Sequence, residues 1–236
     1  MSKLVTDAVA RVANQASIPG HKPPVVVFDL DGTLFDNGPR TWQILVDFAE
    51  HEGNATLRRT LDAAPRTRLP YLLKETLESL GITDGNIVTR AQQFWMDRFF
   101  TDDQQSHDIP ISGALALVRA LYEKGAIIVY LSGRDVPNML VGVCLSLRAH
   151  GFPVGLSRTV TVLKPSFHDD DLTFKKSALA FIDGLGEVVA TYDNEPANCN
   201  AFCERWPHAL HVYVDSQHAP NPPPLHGDVA IVDDLT

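Results

Sequence analysis

Five short, largely apolar runs organise this chain: Val25–Phe28, Ala126–Leu131, Val160–Leu163, Val188–Tyr192 and His211–Val214. Each is too short for a stable helix. Most are continuous rather than alternating, as strands are when both faces of a sheet are covered. Residues 112–123, 136–149, 174–183 and 197–204 carry helical spacing between the later runs, and Leu4, Val5, Ala8, Val9 and Val12 do so before the first. Strand–helix alternation of this kind predicts an α/β fold with a doubly wound parallel sheet. Val229–Val232 is a candidate for a further short strand.

The alternation is broken once. From Arg40 to about Asp103 the spacing is helical throughout. Trp42, Leu45, Val46 and Phe48 mark one segment. Leu69, Leu72, Leu73, Leu77 and Leu80, closed by Gly81, mark a second, and Phe94, Trp95, Phe99 and Phe100 a third. The domain expectation is a core made of residues 1–36 and 108–236, with a helical insertion at 37–107.

Directly after the first run stand Asp29-Leu30-Asp31-Gly32-Thr33. Ligands of open parallel sheets bind at the carboxyl ends of strands, so this is where a site belongs. Two carboxylates two residues apart point the same way on extended backbone, and a glycine then permits a sharp turn. Such a pair can divide phosphoryl transfer, one attacking phosphorus and the other moving the proton.

The segment DLDGTLFD resembles the first motif of the haloacid dehalogenase-like superfamily, and the later motifs follow in order. Tyr130-Leu131-Ser132-Gly133-Arg134 looks like the second motif and Thr191-Tyr192-Asp193-Asn194-Glu195-Pro196 like the fourth. The resemblance implies strand order 5-4-1-2-3 and an insertion of the C1 α-helical cap type. It also implies Mg²⁺-dependent hydrolysis of a small phosphate monoester through an aspartyl phosphate. In that scheme Asp29 is the nucleophile and Asp31 the acid/base. Ser132 holds phosphoryl oxygens together with the backbone of Gly133 and Arg134, and Thr33 orients Asp31 or the phosphate. Mg²⁺ falls to Asp29, the Asp31 carbonyl and Asp193. The third motif is a single lysine with two candidates, Lys164 and Lys175; Lys175 is preferred because it stands eighteen residues before Asp193, and Lys164 is kept as a contact for a substrate anion. One departure stands out. Where the family often supplies a second acid, this chain has Asn194 next to Asp193 and Asn198 five residues on. Asn194, Glu195 and Asn198 are therefore weak ligand candidates, each equally suited to capping the next helix.

Composition limits the partners. Lys+Arg 20 against Asp+Glu 29 leaves a net charge of −9, which argues against nucleic acid and anionic membrane as ligands. Three cysteines without a CxxC pair fit reduced thiols, and the first fifteen residues lack an apolar signal core, so a cytoplasmic protein is expected. Within the insertion Arg58, Arg59, Arg66, Arg68 and Lys74 face one acid, Asp62. They suit either a second anionic group on the substrate or, as the preferred reading, a solvated helix face. Of Phe94, Trp95, Met96, Phe99 and Phe100, most are expected inside the insertion, with one reaching the site. A phosphomutase or phosphotransferase of the same fold and a weakly active phosphate-binding relative are the alternatives. A dehalogenase has no need of Asp31.

Overall fold

The computed structural model describes residues 3–64 and 69–236. A first helix, α1 (Lys3–Ala16), leads into β1 (Pro24–Phe28), and a two-residue strand β2 (Phe35–Asp36) follows the motif turn. Helices α2 (Gly38–His51), α3 (Ala55–Ala63), α4 (Leu73–Ser79) and α5 (Gly85–Phe99) come next. A 3₁₀ turn at Asp103–His107 then returns the chain to β3 (Ile109–Pro110). The remainder alternates: α6 (Ala114–Glu123), β4 (Ile127–Asp135), α7 (Val136–Ala149), β5 (Thr159–Lys164), α8 (Asp171–Leu185), β6 (Glu187–Asp193), α9 (Pro196–Arg205), β7 (Leu210–Val214) and β8 (Ala230–Val232).

The main sheet has six strands in the order β5-β4-β1-β6-β7-β8, every neighbouring pair parallel. Counting only the five runs seen in the sequence, this is the expected order 5-4-1-2-3 read from the other edge. β8 adds a sixth strand beside β7. The first strand shows why its run is continuous. Val26 and Phe28 pack into a cluster with α1, α6 and α7, while Val25 and Val27 face Ala178, Leu179 and Ile182 of α8 on the other side. All four are fully buried. Each contributes about 1.5–3 kcal/mol by leaving water, so a polar residue at any of them is costly.

The helices between β2 and β3 have an apolar cluster of their own, built on Trp42, Leu45, Phe48, Leu57, Leu61, Leu73, Leu77 and Ala91. Leu69 and Leu72 precede α4 instead of lying in it, because Pro70 has no N–H to give a helix and biases the preceding residue to extended backbone. Phe94 and Trp95 pack on the cluster, whereas Met96 is exposed. Phe99 stacks on Trp95, and Phe100 meets Phe167 of the β5–α8 loop edge-on at 5.0 Å. β2 and β3 pair antiparallel and bring the two ends of the insertion side by side. Among the described residues no helix is long and apolar enough to cross a membrane.

Candidate active site

β1 pairs Phe28 with Tyr130 of β4 and with Tyr192 of β6. One step further along these parallel strands, Asp29 and Asp193 come level on adjacent tips, with Ser132 two residues beyond Tyr130. The Asp29 N–H still donates to the Tyr192 carbonyl, so the nucleophile candidate sits on the last rung of the ladder. The chain then turns sharply, with the N–H groups of Thr33 and Leu34 both donating to Leu30 O. Gly32 has φ +77°, and a Cβ there would lie 2.4 Å from Asn194 Nδ2. Only glycine satisfies both demands.

Lys175 reaches from α8 into this gap. Its Nζ donates to Asp29 Oδ1 and to Asp193 Oδ2, each at 2.7 Å, and all three side chains are almost fully buried. Burial pushes the Asp29 carboxyl above its usual range, Lys175 pulls it down and Asp193 adds to the upward push. Burial also opposes the charged form of Lys175, but Asp193 and Asp29 outweigh it and hold the ammonium above its ordinary value.

The other lysine is engaged elsewhere. Lys164, at the end of β5, donates to the carbonyls of Phe167 (3.3 Å) and Asp169 (3.0 Å) and pairs with Asp171 at 2.7 Å. It shapes the loop leading into α8. Gly133 lies against the same loop: a Cβ there would stand 2.4 Å from Asp171 Oδ2. Ser132 is buried, and its hydroxyl accepts from the Arg134 N–H at 3.3 Å.

Two expected roles find different partners. Thr33 donates its hydroxyl to Asn194 Oδ1 at 3.1 Å and so ties the motif turn to the end of β6, with no bond to Asp31. Arg134, expected on the phosphate, grips Asp31: Nε to Oδ2 at 2.8 Å and Nη2 to Oδ1 at 2.7 Å. Around them the structure adds residues that the sequence did not single out. Asn37 donates to Asp31 at 3.2 Å, Arg40 reaches it at 3.4 Å, and Asp108 accepts from both arginines. Burial favours the neutral Asp31 carboxyl, yet Arg134, then Arg40 and Asn37, hold it well below the usual carboxylate range.

The fourth motif divides its labour. Asp193 Oδ1 accepts from the Glu195 N–H (2.9 Å) and from Asn198 Nδ2 (3.0 Å). Asn194 donates to Gln217 O, and Glu195 accepts from the Ala219 N–H, so both secure the loop after β7. Of the three weak ligand candidates only Asn198 meets Asp193 with its side chain, and it presents an amide N–H to it. Among the described residues no group of three or more acidic, histidine or cysteine side chains gathers as a metal cluster. Asp29 and Asp193 nevertheless converge on a single ammonium, two carboxylates against one cation. Two hard carboxylates completed by a backbone carbonyl, water and phosphate oxygens fit Mg²⁺. Asn194 and Asn198 stand where the motif that this segment resembles often has a second acid.

The insertion's basic residues are mostly spoken for. Arg58 pairs with Asp62 at 3.1 Å and also with Glu50; Lys74 pairs with Glu78 at 3.7 Å; Arg59 reaches Thr56. Arg66 and Arg68 lie outside the described residues.

No family model matches the chain, and no curated protein matches it in sequence. Solved structures do. A haloacid dehalogenase superfamily hydrolase of subfamily IA from Geobacter sulfurreducens aligns with a TM-score of 0.55 at 14% identity, over 90% of this chain and 92% of that one. CbbY from Rhodobacter sphaeroides, solved in complex with phosphate, aligns with a TM-score of 0.52 at 14% identity, over 89% and 94%. Identities this low carry the fold and nothing finer. With its 3-2-1-4-5 parallel core and its insertion after the first strand, the chain has the haloacid dehalogenase-like fold.

Proposed function

We propose that this protein is a Mg²⁺-dependent phosphatase of small phosphate monoesters, with residues 37–107 forming a C1-type helical lid over residues 1–36 and 108–236. The observation that carries the reading is Lys175 Nζ standing 2.7 Å from both Asp29 and Asp193 on neighbouring strand tips. That arrangement has the charge pattern of a site for a phosphoryl group and a cation together.

Asp29 attacks phosphorus in line with the ester oxygen, forming the aspartyl phosphate as the P–O bond to the alcohol breaks. The departing oxygen takes a proton from Asp31. A water then attacks the aspartyl phosphate and gives its proton to Asp31, releasing phosphate and the Asp29 carboxylate. Arg134 and Arg40 favour the carboxylate form of Asp31, which suits the second step, where it accepts a proton, and opposes the first, where it must already carry one. Lys175, the Ser132 hydroxyl and the backbone beyond it hold phosphoryl oxygens as charge builds there. When bound, Mg²⁺ supplies Lewis-acid stabilisation of the same charge, held by Asp29, Asp193 and the Asp31 carbonyl. The lid would exclude water and supply contacts to the alcohol portion.

The test is phosphate release from 4-nitrophenyl phosphate, with Mg²⁺ and with chelator. Wild-type protein should turn over only with Mg²⁺, and Asp29→Asn should be inactive. Near-full turnover by Asp29→Asn overturns the assignment.

A further inference from the structure

Asp31 is held by a charge network of Arg134, at the end of β4, and two residues from the insertion's roots. Arg40 lies in the first turn of α2, and Asp108 stands between the 3₁₀ turn and β3. Their side chains are wholly buried, as is nearly all of Arg134, while Asp31 keeps 30% of its side chain exposed toward solvent. Asp108 takes Arg40 Nε on one oxygen at 2.8 Å and Arg134 Nη2 on the other at 2.8 Å. Gln105 accepts from Arg134 Nη1, and Phe99 O accepts from Arg40 Nη1 at 3.2 Å. The Arg40 guanidinium also lies 4.4 Å from the Phe99 ring centre.

We infer that Arg40 and Asp108 are positioning residues for Asp31. They fix the Arg134 fork, and the fork fixes the plane and direction of the carboxylate that moves the proton. The inference rests on the phosphatase reading and adds to it the reason why Asp31 has one orientation. A bidentate arginine–carboxylate pair has narrow geometry, so Asp31 can turn only as far as Arg134 turns. Arg134 in turn is held by Asp108, whose two carboxylate oxygens are both gripped by Arg40. Two arginines and two aspartates balance in charge, so the network has no need of substrate or cation to be complete. Its side chains meet the reaction through Asp31 alone, the one member open to solvent. The helical insertion and the proton-transfer group are thereby joined at the same pair of residues.

The test uses a double variant, Arg40→Met with Asp108→Leu. Replacing a buried ion pair by apolar side chains of similar volume commonly preserves folding, whereas removing one partner does not. Three quantities are read: kcat and KM for 4-nitrophenyl phosphate, and the inhibition constant of inorganic phosphate. Loss of proton-transfer geometry should lower kcat by about 100-fold. KM and the phosphate inhibition constant should stay within about threefold, since Asp29, Ser132 and Lys175 are untouched. Arg40→Lys keeps the charge balance and loses the fork, so it serves if the double variant does not fold; it should show the same split at smaller size, retaining part of the kcat that the double variant loses. Unchanged kcat in a folded variant, or kcat and phosphate affinity falling together, overturns the inference. A wild-type chain that releases no phosphate instead removes the phosphatase reading on which it rests.

Discussion

The two aspartates of the motif turn, two residues apart, live in opposite electrostatic settings. Asp29 shares one ammonium with Asp193, so its pocket carries surplus negative charge and burial pushes its carboxyl up. Asp31 sits beside two guanidinium groups and an amide, so its carboxyl is pushed down. The first pocket is built from strand tips and one helix of the core, and it is incomplete in charge. The second is built largely from the roots of the insertion, and it is complete. In the proposed reading that surplus of negative charge recruits a cation, and the cation with the lysine recruits phosphate. A balanced network recruits nothing and holds one group still. Similar residue types thus serve binding in one place and orientation in the other.

Several substitutions break or sharpen this contrast, beginning with the largest effect. Lys175→Met should leave two buried carboxylates facing each other at a cost of about 3–5 kcal/mol, with no phosphate release. Chemical denaturation and an activity assay read both effects. Gly32→Ala places a methyl against Asn194 at positive φ and should cost about 1–3 kcal/mol, read as a lower unfolding midpoint. Lys164→Met should cost about 1–2 kcal/mol by loosening the loop before α8, because its nitrogen is buried among carbonyls. Its kcat should change far less than that of Lys175→Met, which separates the two lysines. Asn198→Asp restores an acid beside Asp193 and should tighten Mg²⁺ binding by about tenfold in isothermal titration calorimetry. The metal-free variant should melt at lower temperature, since the Asn198 amide now donates to Asp193 where a second carboxylate would repel it. Arg58→Ala removes an exposed pair and should leave melting temperature and turnover unchanged.

The sequence made the sheet legible because its central strands β1, β4 and β6 are largely buried on both faces, leaving little room for polar residues within them. The end of β4 was the exception. It continues through Ser132 to Asp135, where a polar stretch pairs irregularly with β5 and leaves no apolar signal. The leucine spacing places the start of α4 too early, because Pro70 disfavours helix at the residue before it and α4 begins only at Leu73. Asp29, Asp31, Lys175 and Asp193 were legible as a set through motif order, and the structure brings Asp29, Lys175 and Asp193 into one contact. Thr33, Lys164 and Arg134 were placed by proximity to motifs. Their partners at Asn194, the β5–α8 loop and Asp31 depend on distances between strand ends that sequence spacing does not encode. Arg40 and Asp108 carried no signal at all. They stand 68 residues apart, and a single charged residue near a helix start or a turn looks like ordinary surface.

The central claim is that Asp29 carries the phosphoryl group in passing. Rapid acid quenching of wild-type protein turning over radiolabelled substrate, followed by peptide mapping, tests it directly. The account predicts label on the peptide containing Asp29 and none in Asp29→Asn. Label on another residue, or turnover in which the protein never becomes labelled, would contradict it.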